Sequence, residues 1–168
     1  MDYGLKTENK ILGIDPGYDR LGYALVNGDK LETLGCLETD RNKTYEERLA
    51  DIGREFGRLV KKLRPDALAI EKLFLGKNKK TATKVAEVRG VILYLSQGLP
   101  VYEFSPPEIK LAVCGYGRAD KKQVSKMIKM LYKINGNLKD DALDAAAIAF
   151  TAAGKRNLLD AEVIHSRK

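Results

Sequence analysis

Three aspartates are crowded into the start of the stretch KDDALDAAAIAF, residues 139–150. From Ala145 onward this stretch is apolar and rich in alanine, the composition of a helix packed on all sides. On a helix, Asp141, Asp144 and Ile148 occupy positions i, i+3 and i+7 of one stripe. Two carboxylates are therefore aimed along a face that also carries a core residue, and carboxylate oxygens are the ligands that hard divalent cations prefer.

Two further acids end predicted strands: Asp15 ends ILGID, and Glu71 ends ALAIE. Ligand sites of open α/β sheets lie beyond the carboxyl ends of the strands. If the two strands are parallel neighbours, Asp15 and Glu71 emerge at one edge, where the last helix can add Asp141 and Asp144. At about 4 Å each pair of like charges costs on the order of 4 kcal/mol at an effective dielectric constant of about 20. Two Mg²⁺ ions would balance the four charges, and paired metals promote in-line attack on phosphodiesters.

Each acid also has a purely structural interpretation. Asp140 and, in part, Asp141 fit a helix N-terminus, where aspartate caps free N–H groups and complements the helix dipole. Asp15 can form the turn that follows its strand, and Glu71 can be an exposed strand end. Asp144 lies too deep in the helix to be a cap. Taken together, the four acids favour a shared metal site.

The composition favours a single domain with a polyanionic partner. The chain has 168 residues, with 30 Lys and Arg against 23 Asp and Glu, a net charge of +7. Such a charge suits nucleic acid, although it also serves solubility. The lone histidine, His165, argues against imidazole catalysis. With no apolar run of membrane length and no secretory signal, we expect a cytoplasmic protein in which Cys36 and Cys114 are reduced.

The hydrophobic periodicity predicts an α/β fold with the order β-β-β-α-β-α-β-α-α-α. The pair Asn27-Gly28 predicts a hairpin between the second and third strands. We expect a five-stranded mixed sheet, with an antiparallel meander of the first three strands, two further parallel strands, and helices on both faces. The predicted strands are residues 10–15, 20–27, 30–38, 67–71 and 100–104, and the predicted helices are 45–63, 81–97, 107–113, 121–133 and 140–154.

Four segments of the chain resemble the RuvC crossover-junction endodeoxyribonucleases, the bacterial Holliday junction resolvases. They are ILGIDPGYDRLGYALV, AIEKLFLGKNKKTATKVAEVRGV, PPEIKLAVCGYGRADKKQV and DDALDAAAIA, and they occur in family order between about Ile11 and Phe150. The resemblance implies an RNase H-like nuclease domain over residues 11–154, with an N-terminal extension at 1–10 and a C-terminal tail at 155–168.

The same resemblance implies a function in DNA recombination and repair. Family members are homodimers that nick two strands of a four-way junction symmetrically with Mg²⁺, leaving 5′-phosphate and 3′-hydroxyl ends, and they work with the RuvA–RuvB branch-migration complex. By this likeness we expect two Mg²⁺ ions in each active site, with Mn²⁺ as a substitute, a dimer that packs through the 81–97 helix, and association with the nucleoid.

The family's functional residues correspond to positions of this chain. The acids that bind metal and the lysines near the scissile phosphate correspond to Asp15, Glu71, Asp141, Asp144, Lys110 and Lys121. The aromatic residue that wedges into the junction centre corresponds to Phe74.

The loop KLFLGKNKK, residues 72–80, also suits nucleic acid on its own composition. Phe74 can stack on an unpaired base, a contact worth about 1–3 kcal/mol, and Lys77, Lys79 and Lys80 follow it. We add Lys122 to this predicted DNA-binding set. The alternatives are a Phe74 packed in the core and lysines that are merely solvated.

Three other functions remain open from the sequence. One is a nuclease of the same fold that acts on structured RNA. The second is a junction-binding recombination protein without catalysis, against which the four acids argue. The third is an ATP-binding actin-like domain, suggested by GIDPG, but that fold needs a second phosphate loop and a longer chain.

Overall fold

The computed structural model describes residues 9–73 and 79–165, with the backbone alone for 79–81 and 156–165. The elements follow one another in the predicted order. The strands are β1 (Lys10–Asp15), β2 (Arg20–Asn27), β3 (Lys30–Glu38), β4 (Ala67–Glu71) and β5 (Val101–Phe104). The helices are α1 (Tyr45–Leu63), α2 (Lys79–Leu95), α3 (Pro106–Cys114), α4 (Lys121–Leu131) and α5 (Asp140–His165).

The five strands form one mixed sheet in the order β3-β2-β1-β4-β5. Strand β1 pairs antiparallel with β2 and parallel with β4, β2 pairs antiparallel with β3, and β4 pairs parallel with β5. The predicted mixed sheet is therefore confirmed. Because Ile14 is the partner of Ile70 in the β1–β4 register, the acids that follow them, Asp15 and Glu71, end neighbouring strands at the same edge.

Alternation along the strands separates two cores. Leu12 and Ile14 of β1 pack with Ile52 of α1 and Ile92 of α2 on one face of the sheet. On the other face, Ile11 and the alanines of β4 pack with α3, α4 and α5. Asp15 and Glu71 have the same parity as Ile11 and the β4 alanines, so they point toward the α5 side.

The alanine-rich segment of α5 lies against the sheet at backbone distance. A Cβ atom added to Gly13 of β1 would lie 2.3 Å from the carbonyl oxygen of Ala145, and one added to Gly22 of β2 would lie 2.0 Å from that of Asp141. No side chain fits at either glycine unless the helix moves away. Gly22 is also the register partner of Asp15, so this close approach brings the first turn of α5 to the end of β1.

Helix ends differ from the predicted ones where local signals are weak. Helix α2 is two residues nearer the N-terminus at both ends than predicted, and α4 ends at Leu131. Helix α5 continues past Gly154 to His165, since one glycine costs a helix only about 1 kcal/mol. Within the described ranges no helix is long and apolar enough to cross a membrane.

Candidate active site

The α5-facing edge of β1 and β4 collects the predicted acids. Asp15 is the last residue of β1, and its carboxyl group interacts electrostatically with those of Glu71, Asp141 and Asp144. Glu71 also interacts with Asp144. The structure thus brings together four carboxylates from three elements that are distant in sequence.

Two cations hold the α5 carboxylates. Nε of Arg20, the first residue of β2, lies 2.8 Å from Oδ2 of Asp141. This is an ion contact without hydrogen-bond geometry, and within the described residues the buried Oδ2 atom has no hydrogen-bond partner. Nζ of Lys121 lies 2.8 Å from Oδ2 of Asp144 and 3.7 Å from Oδ2 of the exposed Asp140.

Both predicted catalytic lysines line a small cavity beside the acids. This cavity of about 190 Å³ is bordered by Glu71, Asp144, Lys110 and Lys121, with apolar side chains of α3, α4 and α5 between them. Lys121 is the first residue of α4, and the Asp120 side chain fixes that helix start by accepting a hydrogen bond from the Gln123 N–H. The geometry therefore places two ammonium groups next to carboxylates, which suits an anionic phosphate diester.

The pKa values of three of the acids are raised, so nearby cations do not fully compensate burial and the repulsion between the carboxylates. Burial, together with the charges of Asp144, Asp141 and Glu71, raises the pKa of Asp15 to about 7, against the lowering effect of Lys121. Burial also raises the pKa of Glu71, together with the Asp144 charge. Burial raises the pKa of Asp144, although Lys121 opposes this by donating a hydrogen bond. Further cations would relieve this repulsion.

The stability of the metal-free protein is expected to fall as the pH rises from about 4 to about 7. Across this window folded Asp15 keeps a proton that the unfolded chain has released, because its pKa rises from 3.8 to about 7. The free energy of unfolding therefore decreases with pH, by up to about 4 kcal/mol for a shift of this size. Urea denaturation with a chelator should show this slope, and Asp15→Asn should reduce it. Equal slopes in the two proteins would contradict the shift.

Of the predicted DNA-binding residues, the structure places one side chain. Phe74 and Lys77 lie outside the described residues, and Lys79 and Lys80 begin α2 with side chains that are not described. Lys122 lines a groove of about 790 Å³ along α4. Lys121 and Asp140 of the candidate site also line this groove, and its other charged lining residues are Lys126, Lys129 and Lys133.

Sequence reasoning missed two arginines at the site. Arg20 faces Asp141, and only the packing of α5 across β2 at Gly22 reveals this. Arg89 of α2 is buried, donates a hydrogen bond of 2.7 Å to the backbone carbonyl of Glu71, and pairs with Glu103. It thereby fixes the end of β4. A lone arginine in the apolar stretch VRGVILYL was the available signal for Arg89.

Comparisons with known proteins give one consistent answer. A family model for the crossover junction endodeoxyribonuclease RuvC matches residues 11–152. The chain belongs to the RuvC family of crossover junction endodeoxyribonucleases. It is 48% identical over 151 residues to the family member of Thermosipho melanesiensis, covering 86% of this chain and 96% of that protein. It is 42% identical over 147 residues to that of Petrotoga mobilis, covering 83% and 90%.

Solved structures show the same fold. RuvC of T. thermophilus in complex with a Holliday junction substrate is 29% identical, with a TM-score of 0.81 over 89% of this chain and 95% of that one. The yeast mitochondrial Holliday junction resolvase Ydc2 has a TM-score of 0.60 at 16% identity, a likeness of fold alone. The predicted RNase H-like fold is confirmed.

The RuvC family is metal-dependent, and the acids of this chain fit a divalent ion. Within the described residues, no group of three His, Cys, Asp or Glu side chains has a geometry that could hold a metal ion. Asp141 and Asp144 form ion pairs with Arg20 and Lys121 instead. The donor set consists of carboxylates, Oδ2 of Asp141 is buried without a hydrogen bond, and Asp15 has a raised pKa. These features match a site completed by a hard cation once the side chains reorient.

Proposed function

We propose that this protein is a structure-selective endonuclease that resolves Holliday junctions in DNA recombination and repair. The observation that carries the proposal is the meeting of Asp15, Glu71, Asp141 and Asp144 beside a lysine-lined cavity, in a member of this family. We assign the nuclease domain to residues 11–154, with an extension at 1–10 and a tail at 155–168. Two symmetric nicks would leave 5′-phosphate and 3′-hydroxyl ends.

The four acids would hold Mg²⁺, two ions in each site, with Mn²⁺ as a substitute. When bound, these ions would lower the pKa of the attacking water and neutralise charge on the departing 3′ oxygen. Asp15 and Glu71 sit on strand ends that the sheet holds rigidly, and Asp141 is fixed by the contact of α5 with Gly22. The acids thus orient the reacting groups from a preorganised frame.

The two lysines of the cavity would act on the phosphate. Lys121 donates to Asp144 at 2.8 Å, and this bond raises the pKa of Lys121. Burial and the Asp144 charge raise the pKa of Glu71, and Lys110 lies near enough to oppose that rise. Charged ammonium groups at this position would bind the scissile phosphate and stabilise the negative charge of the transition state.

The α4 groove would hold the phosphate backbone of a DNA arm next to the cut. Lys122, Lys126 and Lys129 project along it, and none of them forms a salt bridge within the described part of the chain. Unpaired lysines keep their full attraction for phosphate. Phe74, Lys77, Lys79 and Lys80 are proposed to complete the contact, with Phe74 stacking on a base at the junction centre.

Charge removal in the groove is expected to weaken DNA binding in a salt-dependent way. The triple variant Lys122→Gln, Lys126→Gln and Lys129→Gln should reduce the slope of log K against log salt concentration by about 0.9 for each phosphate that is no longer neutralised. A control that replaces the exposed Lys30 of β3 and Lys61 and Lys62 of the last turn of α1 by Gln removes the same charge outside the groove. Fluorescence anisotropy on a four-way junction measures both slopes. Equal slopes in the two triple variants would contradict a role for the groove.

Symmetric nicking needs two active sites, and α2 is the proposed dimer contact. Tyr94 of α2 is 70% exposed, and it borders an apolar groove of about 560 Å³ between α1 and α2. An exposed aromatic residue beside an apolar groove is typical of an interface. A complex with the RuvA–RuvB motor would then supply the junction.

Cleavage of matched substrates tests the function. A labelled four-way DNA junction, a linear duplex of the same sequence and a structured RNA are incubated with the protein, with and without Mg²⁺. We expect paired nicks in the junction only, and only with metal. Preferential cleavage of the RNA would replace the proposal with an RNA nuclease, and junction binding without nicks would identify a non-catalytic protein.

A further inference from the structure

Arg20 already forms an ion pair with Asp141, one of the carboxylates of the proposed metal site. Arg20 Nε lies 2.8 Å from Asp141 Oδ2. A divalent ion that binds Asp141 would compete with Arg20 for this carboxylate. The contact lacks hydrogen-bond geometry, so Oδ2 is neutralised but not satisfied. A hard cation that binds this oxygen directly would satisfy it better than the guanidinium does.

We propose that Arg20 is a positioning residue that divalent metal displaces: it neutralises Asp141 in the metal-free protein and releases that carboxylate when the ion binds. The inference rests on the proposed metal site. It predicts that the protein gives up an ion pair in order to bind metal, so Arg20 lowers the apparent affinity for the ion.

The surroundings of Arg20 leave it free to move. Its side chain is 45% exposed, and it borders a cavity of about 430 Å³ that Tyr18, Arg48, Lys84 and Asp141 also line. The released guanidinium can therefore turn into this space. A partly exposed ion pair is also weak enough to break.

The neighbouring cations are held elsewhere. The Arg48 guanidinium stacks 3.9 Å from the centre of the Tyr18 ring and pairs with Asp19. The Lys84 ammonium lies 4.6 Å from the same ring centre. Neither forms a salt bridge with Asp141 within the described residues, so Arg20 is the cation whose loss should alter the metal-free state of Asp141.

Metal titration of the full chain without DNA tests this exchange. Calorimetry with MgCl₂ and with MnCl₂ should show that Arg20→Gln binds metal about two- to fivefold more tightly than the wild type, the range expected when a partly exposed ion pair no longer has to be broken. Asp15→Asn should lose the binding heat, which assigns the heat to this site. The matched control is Arg41→Gln. Arg41 is also an arginine in an ion pair, but its partner is Asp19, the residue before Arg20, at 3.2 Å.

Thermal unfolding gives a second readout. Arg20→Gln should unfold about 1–4 °C below the wild type in chelator, because Asp141 is then left without its cation, and this difference should vanish in saturating Mg²⁺. Unchanged or weaker metal binding by Arg20→Gln, or an equal gain in Arg41→Gln, would overturn the exchange. Either result can occur while the wild type still cuts junctions, so failure of this inference is distinct from failure of the proposed function.

Discussion

Asp15→Asn is expected to lower the rate of junction cleavage by about 10³-fold or more, the scale on which loss of a charge-stabilising catalytic group acts. The amide keeps the shape of the carboxyl group but removes the negative charge at the centre of the four acids. Junction binding should stay within a few-fold of the wild type, because the substitution removes no cation. Single-turnover cleavage and gel-shift titrations separate the two quantities.

Asp29→Asn is the control for this result. Asp29 is exposed in the turn between β2 and β3, at the end of the strands that lies away from Asp15. Its replacement should leave the cleavage rate unchanged within a factor of about two. Wild-type rates in Asp15→Asn would show that β1 does not supply a metal ligand. A parallel loss in both variants would indicate misfolding instead.

Asp144→Asn is expected to produce a similar loss of cleavage with intact junction binding. Asp144 has the second-turn position on α5 that no capping role explains, and it accepts the 2.8 Å bond from Lys121. The amide oxygen can still accept that bond, so Lys121 should stay in place while the metal loses a charged ligand.

The neighbouring Asp140→Asn is a close control for this second experiment. Asp140 stands on the same helix, with a side chain that is 69% exposed and 3.7 Å from Lys121. Its replacement should change the cleavage rate by no more than a few-fold. Equal losses in Asp140→Asn and Asp144→Asn would show that the cleavage depends on general negative charge at the start of α5 rather than on one ligand.

The sheet and its acids could be predicted because local patterns encode them. ILGID and ALAIE are apolar runs, as strands buried on both faces require, and each ends with an acid. The pair Asn27-Gly28 specifies the β2–β3 hairpin. Element order alone suggests that β1 and β4 are neighbours, and the register of Ile14 with Ile70 confirms it.

Contacts between distant elements could not be predicted. The pairing of Arg20 with Asp141 depends on how α5 crosses β2 at Gly22, and periodicity carries no information about that crossing. The buried Arg89 depends in the same way on the packing of α2 beside β4 and β5. The predicted end of α5 at residue 154 is wrong because a single glycine is a weak stop signal, and the helix continues to His165.

The most direct test of the shared metal site is anomalous diffraction from crystals of the protein grown or soaked with Mn²⁺. The proposal predicts manganese peaks between the carboxylates of Asp15, Glu71, Asp141 and Asp144, with the Arg20 guanidinium turned away from Asp141. Manganese bound elsewhere would contradict the shared metal site, and an Asp141 carboxylate that stays on Arg20 at saturating metal would contradict the exchange.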